Sequence, residues 1–183
     1  NEAPISVTLL QGIPKGDKME YIIQKCTELG VAKFIPVACA RSIVQLNKDK
    51  ADKKQARWQR IAEEAAKQSR RSQIPQVCSV VNLPQALQSL EENEAFLIPW
   101  EEEKAESLKK ELRCLRGERQ KLSLLIGPEG GLAPEEVALA REAGGKVVTL
   151  GPRILRTETA GLAIVSMVLY ELGDLGGTFC GAK

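Results

Sequence analysis

Two stretches in the last third of the chain combine glycine-rich turns with charged side chains: LLIGPEGGLAPEEV over 124–137 and TLGPRILRTETAG over 149–161. In the first, Gly127, Gly130 and Gly131 permit positive φ and let a ligand lie against bare backbone. Pro134 opens the next helix with Glu135 and Glu136 in its first turn, as a helix N-terminus favours. Glycines alone would mean only a tight strand-to-helix turn. Glu129 adds something more, because it sits mid-turn at the end of a fully apolar strand, where a carboxylate is costly to bury without a partner. The lysine of a GxxxxGK[ST] loop is missing and Glu129 would repel phosphate, so a phosphate cradle is disfavoured. No early GxGxxG marks a dinucleotide fold. Exposed amides beside a carboxylate suit a neutral base edge or a cationic ligand.

In the second stretch Gly151 and Pro152 end a strand, and Arg153 and Arg156 follow at i, i+3 with Glu158 close behind. Thr157 as a helix cap, with Glu158 complementing the helix dipole, accounts for those two residues. It does not account for Arg156, which stands between Leu155 and an apolar helix. An arginine there needs an anion: a carboxylate such as Glu129 or Glu158, or an outside phosphate or carbonyl. The chain has no histidine, which removes Ser-His-Asp chemistry, histidine bases and most zinc sites. A proton taken here must go to a carboxylate, a lysine, a cysteine or water. The five cysteines (Cys26, Cys39, Cys78, Cys114, Cys180) are odd in number, scattered and without a CxxC pair. They read as thiols of a reducing compartment, hence a cytoplasmic protein with no metal site.

Strands and helices alternate around these turns. Strands are expected at 5–10, 34–39 (with 42–46 extending or following it), 76–81, 95–100, 122–127 and 146–150. Helices are expected from Asp17 to Gly30, with Asp17 and Glu20 as a capping box, and at 53–70, 83–90, 102–116, 134–143 and 159–172. This pattern implies one α/β domain over residues 1–183, with a mostly parallel sheet and helices on both faces. The continuous apolar runs at 95–98 and 122–126 suit central parallel strands. Ligands of such sheets bind beyond the carboxyl ends of the strands, where both glycine turns fall. A length of 183 residues with 43% hydrophobic and 27% charged residues supports a sizeable single core. No apolar run approaches the roughly 20 residues of a membrane helix, and no signal segment opens the chain. The helix at 159–172 is too apolar for a monomer's surface, which implies a two-fold dimer.

The net charge of +2 is uninformative, but its distribution is not. Arg57, Arg60, Lys67 and Arg71 recur on one helical face, with Arg70 adjacent and Glu64 interrupting. A solvated face is the default for such a stripe. The basic excess and the sequence QSRRSQ make phosphate contact an equal competitor, with Lys15 and Lys18 extending the surface. WEEEKAE (100–106) is acidic and is expected to face away from RNA.

LLIGPEGG followed by LGPRILRTETA resembles the paired cofactor loops of the SPOUT methyltransferases. Within them it is most similar to the 16S rRNA (uracil-1498-N3)-methyltransferase family. KGDKMEYIIQKCTELGV (15–31), Arg41-Ser42 and RWQRIAEEAAKQSRR (57–71) ahead of Pro75 carry the resemblance over most of the chain. The resemblance implies S-adenosylmethionine bent in a deep C-terminal trefoil knot, against the general rule that chains do not knot, with a homodimer formed across it. The cofactor residues it implies are Leu97, Pro99, Leu125, Ile126, Gly127, Pro128, Glu129, Gly130, Gly131, Leu150, Gly151, Ile154, Leu155, Arg156, Thr159 and Ala160. It implies methylation of N3 of a uridine in 16S rRNA, free or in the small ribosomal subunit. Arg156 would stabilise the uracil anion, and Glu129 or Glu158 would take the proton or orient Arg156. Lys15, Arg41, Arg57, Arg60, Lys67, Arg70, Arg71 and Arg153 would contact RNA. A SPOUT enzyme acting on another position, such as a ribose 2′-hydroxyl, and a non-catalytic RNA-binding relative are the competing readings. The family carries a small PUA-like RNA-binding domain ahead of the methylase domain, and the abrupt start at Asn1 is what a piece of a longer protein would show. Ala133 stands where a capping Ser or Thr is expected and cannot cap.

Overall fold

In a computed structural model, residues 2–42, 48–91, 94–116 and 121–177 are described. β1 (Ser6–Gly12), α1 (Lys18–Leu29), β2 (Lys33–Ala38) and α2 (Lys48–Gln68) open the chain. β3 (Gln76–Val77), β4 (Val81–Asn82), α3 (Leu83–Gln88), β5 (Ala95–Pro99) and α4 (Leu108–Cys114) follow, then β6 (Lys121–Ile126), α5 (Pro134–Glu142), β7 (Lys146–Val148) and α6 (Thr157–Leu172). The sheet runs β3-β2-β1-β6-β5-β7, with β4 also pairing with β2. Every paired strand is parallel. All glycine turns that follow a strand therefore open on one edge.

β6 explains the register. It pairs with β1 on one side (Leu10 with Leu125) and β5 on the other (Leu97 with Leu124). A strand covered on both faces can afford almost no polar side chain, and Leu122 to Ile126 are all buried. Alternate strand residues then supply two separate cores. Val7, Leu9, Phe34, Leu97, Leu122 and Leu124 pack under α1, α2, α4 and α6 with Ile22, Ile23, Trp58, Leu112, Ile164 and Val168. Leu10, Ile35, Val37, Phe96, Ile98 and Leu125 face α3 and α5 with Leu87, Val137 and Ala140. No helix among the described residues is long and apolar enough to cross a membrane.

Several element ends differ from expectation for local reasons. Asp17 precedes α1 but its side chain caps nothing, and Glu20 is turned to the Arg57 guanidinium at 2.8 Å instead of closing a capping box. Gly30 does end the helix, at φ 121. α4 starts six residues later than the leucine spacing suggests. Its expected first turn is a loop in which Glu103 accepts from the amides of Ala105 and Glu106, and Ser107 is the N-cap, accepting from Lys110 N. The strand expected at 76–81 is split into β3 and β4. Of the strand expected at 42–46, residues 43–46 lie outside the described residues, as does Cys180; the other four cysteines are free thiols. At α5 the uncapped Ala133 is served from the other half of a capping box, its own amide donating to Glu136 at 2.9 Å.

Arg71 is a correction. The helical periodicity puts it on a surface stripe, but its side chain is only 6% exposed and pairs with Glu2 at 2.6 Å. The same guanidinium donates to the carbonyls of Thr27 and Val31, fastening the end of α2 to the α1–β2 turn. It is a structural pin and is removed from the RNA-contact set. Partial burial pushes the Glu2 carboxyl up, but Arg71 and the Gln73 amide outweigh it and hold the group below its ordinary 4.5. A depressed folded-state value stabilises the protein above pH 4.5 and loses that contribution as pH falls through the folded value. Arg71→Met is expected to cost about 2–4 kcal/mol in urea unfolding at neutral pH. Its deficit relative to wild type should shrink as pH falls below 4.5; a deficit independent of pH would break the assignment.

Candidate active site

The carboxyl ends of β5, β6 and β7 frame a cleft of about 400 Å³, within the usual size of a small-molecule site. One wall is the turn after β6, with Ile126 to Glu129, Gly131 and Leu132. The second is the segment from Thr149 to Thr157, and Ala160 below it. Pro99, Trp100 and Glu101 close the third side. Of the expected cofactor residues, Pro99, Ile126, Gly127, Pro128, Glu129, Gly131, Leu150, Gly151, Ile154, Leu155, Arg156 and Ala160 meet at this cleft, joined by Arg153. Leu97 and Leu125 do not; both are fully buried strand residues, Leu97 in the core under α1, α2, α4 and α6 and Leu125 in the core facing α3 and α5. Thr159 is exposed on α6 outside the cleft. Gly130 faces elsewhere, with its carbonyl accepting from Arg41 at 3.1 Å. The three glycines also differ in conformation, since only Gly131 has positive φ, at 69.

The two cofactor-like turns are tied together by a buried chain of hydrogen bonds absent from the sequence reading. The Thr157 hydroxyl donates to the Gly127 carbonyl at 2.6 Å. Having given its only proton, it must accept from Gln11 Nε2, at 3.0 Å. Gln11 lies fully buried in β1 and also donates to Gly12 O. Thr157 is thus not the helix cap; α6 is entered through Arg156, which makes no side-chain cap bond. The signal for Gln11 was present in the sequence as a lone amide in an apolar strand, but its partner lies 146 residues away.

Charge is arranged differently from expectation as well. Arg156 is exposed and forms no ion pair among the described residues. The cation for both carboxylates is Lys18, whose ammonium lies 3.1 Å from Glu129 and 3.2 Å from Glu158. Glu129 also accepts from Lys15 N with both oxygens. Partial burial raises the Glu129 carboxyl, but amide hydrogen bonds and Lys18 outweigh this and hold it below 4.5. Hydrogen bonding to Glu129 raises the Lys18 ammonium in turn. Lys18 is therefore engaged at the site and is not a free RNA contact, and neither glutamate orients Arg156. Glu101 was not assigned to the site, because the acidic run around it was expected to face away from RNA. The Trp100 indole N–H is buried with no hydrogen-bond partner among the described residues.

The basic residues divide between two edges of the sheet. Lys15 follows β1, Arg41 follows β2 and Arg153 follows β7, all exposed at the cleft edge. α2 descends from that edge for about 30 Å, so Arg57 and Arg60 lie nearer the cleft, while Lys67 and Arg70 reach the opposite edge beside the Arg71 pin.

A parallel α/β sheet with a cleft between two glycine turns at its carboxyl edge defines a small-molecule-binding α/β domain. The chain belongs to the RNA methyltransferase domain family, whose model matches residues 1–169. It is 43% identical over 179 residues to ribosomal RNA small subunit methyltransferase E of Bacillus subtilis, covering 96% of this chain and 70% of that protein. The Mycobacterium tuberculosis protein of the same name is 35% identical over 165 residues, and this chain spans 62% of its length. Among solved structures, the Neisseria gonorrhoeae ribosomal RNA small subunit methyltransferase E bound to S-adenosyl methionine superposes with a TM-score of 0.86 at 38% identity. The match covers 95% of this chain and 69% of that one. A putative methyltransferase of Legionella pneumophila, in complex with the same cofactor, gives 0.87 at 35% identity over 96% and 70% of the two chains.

The Thr157 link makes a direct prediction. Thr157→Val leaves Gly127 O without its hydroxyl donor and Gln11 Nε2 with only its bond to Gly12 O, and is expected to cost about 2–3 kcal/mol. Thr157→Ser keeps the hydroxyl and should cost less than about 1 kcal/mol. Equal denaturant midpoints for the two variants would show that the hydroxyl carries no load.

Proposed function

We propose that this chain transfers a methyl group from S-adenosylmethionine to N3 of a uridine in 16S ribosomal RNA of the small subunit, as a cytoplasmic enzyme. The observation that supports this most is the cleft between the 127–132 and 149–157 turns in a chain so similar to cofactor-bound relatives. The residues fit the cofactor: Ile126, Leu132, Leu150, Leu155 and Ala160 offer apolar walls for an adenine, and the turns offer backbone amides. A phosphate-binding lysine is absent and carboxylates are present, which suits a cation. Bound there, S-adenosylmethionine supplies an electrophilic methyl group on a sulfonium.

The chain's own contribution is electrostatic. Uracil N3 reacts as its anion, formed when the imino proton passes to solvent at the open mouth. Arg156, unpaired and lining the cleft, donates to the uracil oxygens on which that charge is shared, as an oxyanion site does. Glu129, held ionised by Lys18 and the Lys15 amide, is a poor base; with Glu158 it locks the β1–α1 turn onto the cleft. Lys15, Arg41, Arg153, Arg57 and Arg60 are assigned to RNA phosphates, and Lys67 and Arg70 to RNA running past the far edge of the sheet.

We also infer a deep trefoil knot and a two-fold dimer. β5 lies between β6 and β7, and Thr157 hangs on the Gly127 carbonyl; both support a terminal segment passing beneath the turn after β6. Most of the apolar length of α6 is used inside the chain, where Ile164, Val165, Val168 and Leu169 are buried. What remains for a partner copy is the outer stripe with Met167 and Tyr170, 69% exposed, and Ile154 at 88%. Light scattering at micromolar concentration is expected to give twice the chain mass, and Tyr170→Glu to give a monomer. A monomeric wild-type protein would end the dimer assignment.

Single-turnover kinetics on isolated small subunits test the activity. Arg156→Ala is expected to slow methyl transfer by ~10²–10³ while S-adenosylmethionine affinity by calorimetry stays near wild type. Gly131→Val should do the reverse. Gly131 has φ 69, and a side chain there would meet Glu101 Oε1 at 2.5 Å, so the turn must distort and cofactor affinity should fall. If Arg156→Ala lost affinity and rate in equal proportion, Arg156 would be a scaffold of the loop and not a catalytic residue.

A further inference from the structure

Three consecutive glutamates follow Trp100, and the structure gives them different work. Glu103 is consumed by its own turn, accepting from Ala105 and Glu106 amides and pairing with Arg141 at 3.4 Å. Glu102 is exposed and lies outside the cleft. Glu101 lines the cleft and forms no ion pair among the described residues. Its carboxylate lies over the Cα of Gly131, close enough that a methyl group there would come within 2.5 Å of Oε1. The glycine required by φ 69 is thus also the one that leaves room for this carboxylate.

The charge inventory of the cleft makes Glu101 distinctive. Its other carboxylate, Glu129, is already matched by Lys18 and by the Lys15 amide. Its two arginines, Arg153 and Arg156, are exposed and form no ion pair among the described residues. Glu101, likewise exposed, is the cleft-lining carboxylate with no ion pair among the described residues. A small cationic ligand held there gains a charge-assisted contact that no protein group competes for.

We propose that Glu101 is the counter-ion for the cationic methionyl portion of the cofactor, and so selects charged sulfonium or amino-acid ligands over neutral adenosine thioethers. This rests on the cofactor reading above. It assigns a cofactor-binding role to a residue in a segment whose composition points only to solvent.

Calorimetry with wild type, Glu101→Gln and Glu101→Ala separates the possibilities, using S-adenosylmethionine, S-adenosylhomocysteine and 5′-methylthioadenosine as probes. The three share adenosine; the first two carry the ammonium, and only the first carries the sulfonium. Glu101→Gln is expected to weaken S-adenosylmethionine binding roughly tenfold and to leave methylthioadenosine within about twofold, with unchanged thermal melting. Loss confined to S-adenosylmethionine assigns Glu101 to the sulfonium, and loss shared with S-adenosylhomocysteine assigns it to the ammonium. Equal loss for all three ligands would make Glu101 a ribose or scaffold contact and overturn the proposal, as would no loss for any. If wild type bound none of the three, the cofactor reading itself would fall, a result distinct from either.

Discussion

The Thr157 hydroxyl, held between the Gly127 carbonyl and the Gln11 amide, is the contact on which the site depends. Gln11 belongs to β1, Gly127 to the turn after β6, and Thr157 to the first turn of α6. One hydroxyl, donating to Gly127 O and accepting from Gln11 Nε2, therefore ties together three segments that the chain order separates widely. The direction of each bond is forced, because Gly127 offers only an acceptor and the amide nitrogen only donors. Arg156 immediately precedes Thr157, so the guanidinium at the mouth inherits its position from this link. Gly127 begins the opposite wall of the cleft. The two walls are joined by a part-buried bond between backbone and side chain, which is costly to leave unmade.

Around that link the charges are sorted by how far they are engaged. Lys18 bridges Glu129 and Glu158, leaving that trio with one net negative charge, and anchors the β1–α1 turn over the cleft. Among the described residues the two arginines and Glu101 form no ion pair, and all three are exposed side chains lining the cleft. Such an arrangement has a physical use: unmatched charge costs the protein little where solvent reaches it, and becomes available when a ligand of opposite sign excludes the water. The same sorting runs through the basic helix α2. Arg71 is spent internally on Glu2 and two carbonyls, Arg57 is paired with Glu20, and Arg60, Lys67 and Arg70 remain exposed.

The layered fold was legible in the sequence because hydrophobic periodicity is a local property. The apolar run of β6 and the 3.6-residue stripe of α1 each report how many faces of an element are covered, and both hold in the structure. The glycine turns and the arginine after β7 were legible as chemistry for the same reason, since φ > 0 and unpartnered charge leave marks within a few residues. Ends of elements were less so. Glu103 diverts the chain into a turn ahead of α4, and leucine spacing cannot register a carboxylate that binds its own backbone.

What the sequence determined by itself, then, was the alternation of strands and helices, the parallel sheet, and the residue types assembled at its carboxyl edge. What only the tertiary structure decided was pairing. Lys18 rather than Arg156 meets the glutamates, Arg71 turns inward, Leu97 and Leu125 sink into the core, and Glu101 turns into the cleft. The physical reason is that burial is encoded by composition and period along the chain, whereas hydrogen bonds and ion pairs depend on distances of a few ångströms between segments more than a hundred residues apart. Thr157 and Gln11, 146 residues apart and 3.0 Å from contact to contact, show how little of that can be read from either end alone.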